Sequence, residues 1–116
     1  MLPTEVLRGL LPLESDTAFV LSASAATTLG PRALKFSASG VEVTTQWLAS
    51  LATPAERVIL VWSPSTALSM PWDVFVTYWS DFCYPSSDDV DVFVEGGPLF
   101  LRWHHFEEFE YDADAL

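Results

Sequence analysis

The stretch that most constrains what this chain can fold into is residues 69–82, SMPWDVFVTYWSDF. Trp72, Phe75, Trp79 and Phe82 fall at i, i+3, i+7 and i+10, one aromatic stripe on a 3.6-residue helix. Ser69 is placed to cap that helix, Pro71 suits its first turn, Asp73 complements the positive end of its macrodipole, and Pro85 stops it. Large rings on one side of a helix must be buried against another layer, so the stripe reads as core and not as a cofactor box.

The layer that buries it is a sheet. Arg57–Trp62, RVILVW, is a continuous apolar run bounded by charge and by Ser63-Pro64, the signature of a strand buried on both faces. DVDVFVEGGPLFLRWHH reads as a hairpin: Val90, Val92 and Val94 on one face, Asp91, Phe93 and Glu95 on the other, with Gly96-Gly97 as the turn. Further strands are expected at Thr17–Ala23 and at Ala33–Ser37, with a turn on Gly30-Pro31 between them. A short helix capped by Thr4 ends before Pro12, and a second, ended by Pro54, carries Val43, Trp47, Leu48 and Leu51 at helical spacing. The fold class is therefore α+β: one two-layer domain over residues 1–116, about three helices packed on a mixed or antiparallel sheet of four to five strands. Half the residues are hydrophobic and 14% aromatic, ample for such a core.

The same sequence excludes several classes. No apolar run approaches the ~18 residues of a membrane span, and the N-terminal stretch MLPTEVLRGLLPLESD does not read as a signal peptide. The lone Cys83 forms no internal disulfide framework and fits a reducing compartment, so a cytoplasmic protein is expected. Its acidic neighbours in SDFCYPSSDD make it a buried hydrophobe rather than a nucleophile.

Charge is the informative quantity. The chain carries −11 formally, yet residues 1–69 contribute only −1 and residues 70–116 contribute −10, with Arg102 as the single base there. Five lysines and arginines in all, scattered, do not make a nucleic-acid surface, and a field of this sign repels anionic lipid as well. It attracts basic partners; the plain alternative is a solvated acidic face.

The acids concentrate around SSDDVDVF and in Trp103–Asp114, WHHFEEFEYDAD, whose conformation is ambiguous. Phe106 and Phe109 suit one edge of a helix, while Phe109 and Tyr111 suit one face of a strand. As a helix, His104 and Glu108 lie at i, i+4 and are candidate metal ligands; as a strand, His104 and His105 point to opposite faces and cannot share an ion. No metal motif, nucleophile elbow or phosphate loop is present, and no catalytic residue or cofactor is assigned. Aromatics interleaved with carboxylates fit protein recognition instead, with Asp88, Asp89, Asp91, Glu107, Glu108 and Glu110 as charged contacts and Tyr84 and Tyr111 as apolar anchors.

A small acidic domain in which a tryptophan-bearing helix precedes FCYPSSDDVDVF and HHFEEFEY resembles the small immunity proteins of bacterial toxin systems. It is similar to barstar-like inhibitors in size, charge and physical logic, though its order of elements differs and it carries more strand. The resemblance implies a non-enzymatic inhibitor that neutralises a cognate toxin, a basic protein such as a nuclease domain, by occluding its site. Two other readings stay open: a structural or assembly adaptor using the same surface, and a small metal-dependent enzyme centred on His104, His105 and nearby carboxylates.

Overall fold

The computed structural model describes residues 3–12, 33–63, 66–84, 88–94 and 99–112. In chain order the elements are α1 (Thr4–Gly9), β1 (Leu11–Pro12), β2 (Ala33–Ser37), α2 (Val41–Ala49), β3 (Arg57–Ser63), β4 (Thr66–Pro71), α3 (Trp72–Phe82), β5 (Val90–Val94), β6 (Phe100–His104) and β7 (Glu108–Asp112). Every strand pairing is antiparallel, in one seven-stranded sheet of order β1-β4-β3-β5-β6-β7-β2. The α+β class is as expected, but the element counts differ: among the described residues two longer helices, α2 and α3, with the six-residue α1, accompany seven strands rather than four to five. The expected strand at Thr17–Ala23 and the turns on Gly30-Pro31 and Gly96-Gly97 lie outside the described residues.

The aromatic stripe does what its spacing requires. Trp72, Phe75, Trp79 and Phe82 are all buried and share one core with Val58, Leu60, Met70, Val90, Val92, Leu101, Trp103 and Phe109 on the facing side of the sheet. Trp72 also ties the helices together, its Nε1–H donating to the Leu48 carbonyl at 3.1 Å. Burying a tryptophan keeps its apolar area out of water only without penalty if the N–H finds an acceptor, and here the end of α2 supplies it.

The alternation of β3 is equally plain: Val58 and Leu60 enter that core, while Ile59 and Val61 turn to the opposite face and are buried there with Ala67, Phe93 and Phe100. Val90, Val92 and Val94 share the first face and Phe93 the second, as the hairpin pattern predicts.

Four local expectations are corrected. Ser69 does not cap α3; it lies inside β4, 4% exposed, and accepts a hydrogen bond from Arg57 Nη2 at 3.0 Å. Carbonyls of the α2–β3 loop take over that task, since the N–H groups of Trp72 and Asp73 donate to Glu56 (2.7 Å) and Pro54 (3.2 Å). Pro71 correspondingly ends β4 and precedes the helix. In α2, Val43 is 64% exposed and Thr44 is fully buried, so the inward stripe runs through Thr44, Trp47 and Leu48. Thr4 lies within α1 rather than ahead of it.

Candidate functional site

The ambiguous segment resolves as a hairpin. Trp103 and His104 close β6, residues 105–107 form the connection, and β7 returns with Trp103 opposite Phe109 and His104 opposite Glu108. The Glu107 N–H donates to the His104 carbonyl at 3.0 Å, and Glu107 has φ of 64°, the geometry of a three-residue loop whose last position is left-handed. That position favours glycine, because a Cβ there crowds the following carbonyl. This chain places a glutamate in it.

Strand geometry then sorts the candidate acids into two groups. The first lies on the sheet face opposite the helices. Asp91 Oδ1 accepts from Arg102 Nε at 2.8 Å, and Arg102 stands opposite Glu110 in the register. Glu110 Oε1 meets His104 Nε2 at 3.1 Å, and Lys35 Nζ on β2 lies 3.9 Å from Glu108 Oε2. These residues form a cross-strand ladder of alternating sign in which Arg102 pairs closely with Asp91 and faces Glu110, while Lys35 approaches Glu108 only at 3.9 Å and the Glu108 Oε2 is buried without a hydrogen-bond partner. Cross-strand pairs of opposite charge each stabilise a sheet by roughly 0.2–1 kcal/mol, so this group belongs first to the fold.

The second group gathers at one end of the sheet. The register places the entry to β5 beside the end of β6, which brings Asp88 and Asp89 up to His105; Glu107 follows in the same connection, its carbonyl accepting from the Ala38 N–H at 2.9 Å on the β2 side. Asp89 Oδ1 receives the His105 backbone N–H at 2.9 Å and lies 3.1 Å from His105 Nδ1. That backbone hydrogen bond, reinforced by the imidazole, holds the Asp89 carboxyl below the usual carboxylate range. Asp88 is fixed differently: its Oδ2 accepts from the Tyr84 N–H at 3.2 Å, while its own N–H donates to the Tyr84 carbonyl at 3.2 Å. The C-terminus of α3 ends here too, with Trp62 Nε1–H bonded to the Phe82 carbonyl at 3.1 Å, and the negative end of the helix dipole adds to the local field.

Two aromatic rings stand out at this end. Tyr84, an expected anchor, is 52% exposed. Phe106, at the hairpin tip, is 54% exposed and stacks on His104 with ring centroids 5.1 Å apart and planes within 8°. Phe106 was not among the expected anchors; the signal for it is its place between the strand edge and Glu107, where the two periodicities conflict. Tyr111, expected as an anchor, is instead on the helix-covered face, its ring 5.2 Å from Trp47 in an edge contact.

The two imidazoles are divided between different carboxylates, His104 with Glu110 and His105 with Asp89. His104 and Glu108, proposed as ligands at helical spacing, are cross-strand neighbours, and among the described residues no three His, Cys, Asp or Glu side chains are grouped to hold a metal ion. Cys83 is 1% exposed, and burial, with the nearby Asp88 carboxylate, pushes its thiol pKa far up. No helix among the described residues is long and apolar enough to cross a membrane. No protein-family model matches the chain, and neither a curated protein nor a solved structure matches it.

Proposed function

We propose that this protein is a non-enzymatic inhibitor of a basic protein, an immunity protein that neutralises a cognate bacterial toxin in a reducing, cytoplasmic compartment. The observation that carries the reading is the chain of contacts at one sheet end, from exposed Tyr84 to Asp88 and from Asp89 through His105 to exposed Phe106, with Glu107 next in the same hairpin connection. Asp88 and Asp89 make no cross-strand ion pair in that ladder; Asp89 is paired with His105, and the charges of His104 and Arg102 also reach it. Tyr84 beside Asp88, and Phe106 packed on the His104 and His105 rings next to Asp89, combine apolar area, which excludes water from the contact, with charges that pair with Arg and Lys opposite.

The left-handed Glu107 supports the same reading. A glycine there would remove roughly 1–2 kcal/mol of backbone cost, and positions that retain such strain concentrate where a side chain is needed for binding. The docking surface is thus narrower than the run of acids in the sequence. It consists of Asp88, Asp89 and Glu107, with Asp91, Glu108 and Glu110 as a flanking cross-strand ladder.

The test is capture from extract of the native cell on immobilised full chain, beside a variant carrying Asp88→Lys, Asp89→Lys and Glu107→Lys. The expected result is a cationic protein, retained by the wild type and not by the variant, whose toxic activity falls when the wild type is added. A variant that retains and neutralises the same protein as well as the wild type does would overturn the reading.

A further inference from the structure

Beside the acidic end lies a shallow, open groove of about 540 Å³, lined by Leu10, Trp62, Leu68 and Phe82 and bordered by Tyr84 and Asp88. It is a shallow depression open to solvent, not an enclosed ligand pocket, and its surroundings do not suit a polar metabolite. The lining is aliphatic and aromatic, and the polar side chains on it are the Thr66 hydroxyl, the Tyr84 phenol and the Asp88 carboxylate at its edge. Leu10, Trp62 and Leu68 are only partly buried although each packs against the main core. An apolar slot beside an acidic rim fits a large side chain with a cation next to it.

We infer that this groove receives an aliphatic or aromatic side chain of the basic partner, with a neighbouring arginine or lysine of that partner paired to Asp88. The inference rests on the proposed function and adds to it the energetic centre of the contact. Charge complementarity selects the occupant: the rim carboxylate is held in place by the Tyr84 N–H, Asp89 is its neighbour, and the negative end of the α3 dipole lies at Phe82. Interfaces draw most of their affinity from a few large side chains seated in dry pockets, while the charges around them set encounter rate and register. The groove supplies apolar surface that the partner's side chain must cover to make it dry, and Asp88 and Asp89 supply the charges beside it. A second copy of this chain is a poor occupant, because it brings the same negative field to the contact.

Two synthetic peptides test this against the full chain by two-dimensional NMR: one alternating arginine with leucine and tryptophan, the other with those apolar residues replaced by alanine. The Trp62 indole N–H, bonded to the Phe82 carbonyl, is the reporter of the groove; the backbone amides of Asp88, Asp89 and Glu107 report the acidic end. The expected result is that the first peptide shifts both sets of signals and the second only the amides. Thr66 is exposed on the groove wall, so Thr66→Trp fills the slot without touching the core. It should weaken the first peptide at least about tenfold, to the level of the second, which it leaves unchanged. If the first peptide moves the acidic amides but not the Trp62 indole, or if Thr66→Trp binds it normally, the groove is not the contact while the acidic-surface reading stands. If neither peptide moves either set, both fail.

Discussion

Replacing Phe109 and Phe106 separately by alanine distinguishes the two conformations that WHHFEEFEYDAD allows. In a helix the two rings, three residues apart, sit on one face and are lost at similar cost. In the hairpin they are opposites. Phe109 is fully buried, with its ring 5.0 Å from Trp103, 5.8 Å from Trp47 and 5.9 Å from Trp79. Truncating such a residue removes its transfer free energy and leaves a cavity, about 3–5 kcal/mol together. The aromatic contacts surrounding it place Phe109→Ala at the upper end of that range. Against the ~5–15 kcal/mol net stability of a domain, the loss is large. It corresponds to a fall in Tm of ~15–20 °C at about 4 °C per kcal/mol. Phe106, more than half exposed at the hairpin tip, is expected to change stability by no more than about 0.5 kcal/mol. Urea melts followed by tryptophan fluorescence measure both, and the difference in midpoint multiplied by the common slope gives the free energies. Equal losses for the two variants would refute the strand assignment of residues 108–112 and with it the sorting of the acids.

Three further outcomes follow from individual side chains. The Asp89 carboxyl, held down by the His105 N–H, is expected to titrate below the ordinary ~3.9 when followed by NMR. Its contribution to stability is therefore complete above that value and is lost as pH falls through the lower folded pKa, so the stability gap between wild type and Asp89→Ala should close in acid and stay constant at neutral pH. Cys83, buried and with a raised pKa, should react with a thiol reagent at pH 8 only after denaturant is added; rapid labelling of the native protein would contradict its burial. Glu107→Gly should raise stability by up to ~1–2 kcal/mol in a thermal melt while weakening the basic partner, whereas a loss of stability would remove the argument from the left-handed loop.

The fold was legible where a single periodicity ran unopposed. The stripe of α3 and the continuous apolar run of β3 each specify their faces within a few residues, and both are buried as their spacing demands. β4 was not legible: Ala67, Leu68, Ser69 and Met70 have little intrinsic preference for a strand, and it is antiparallel pairing with β3 that holds them extended. The serine at its centre carries the local signature of a helix cap, which the carbonyls of Pro54 and Glu56 then made unnecessary. Thr44 was hidden for a related reason, since a hydroxyl in a helix reads as surface even where, as here, the residue is fully buried.

The candidate site was legible in composition but not in arrangement. The excess of carboxylates after residue 70 is plain in the sequence, and its meaning depends on which acids share a face. That is decided by the register of β5, β6, β7 and β2, a non-local property that one strand's pattern cannot report. Once the register is fixed, Asp91, Glu108 and Glu110 fall among Arg102, His104 and Lys35, and Asp88, Asp89 and Glu107 remain at the sheet end. The same register turns Tyr111 toward Trp47 and leaves Phe106 outside.

The most direct test is the association rate of the wild-type chain with its captured basic partner, measured by stopped flow from low salt to ~1 M, where the screening length shrinks to about 3 Å. The acidic end should make that rate fall steeply with salt, and Asp88→Lys, Asp89→Lys, Glu107→Lys together should lower it and flatten its salt dependence, whereas Glu108→Gln in the cross-strand ladder should leave it close to wild type. A rate indifferent to salt, or one altered as much by the ladder variant as by the triple reversal, would contradict the account.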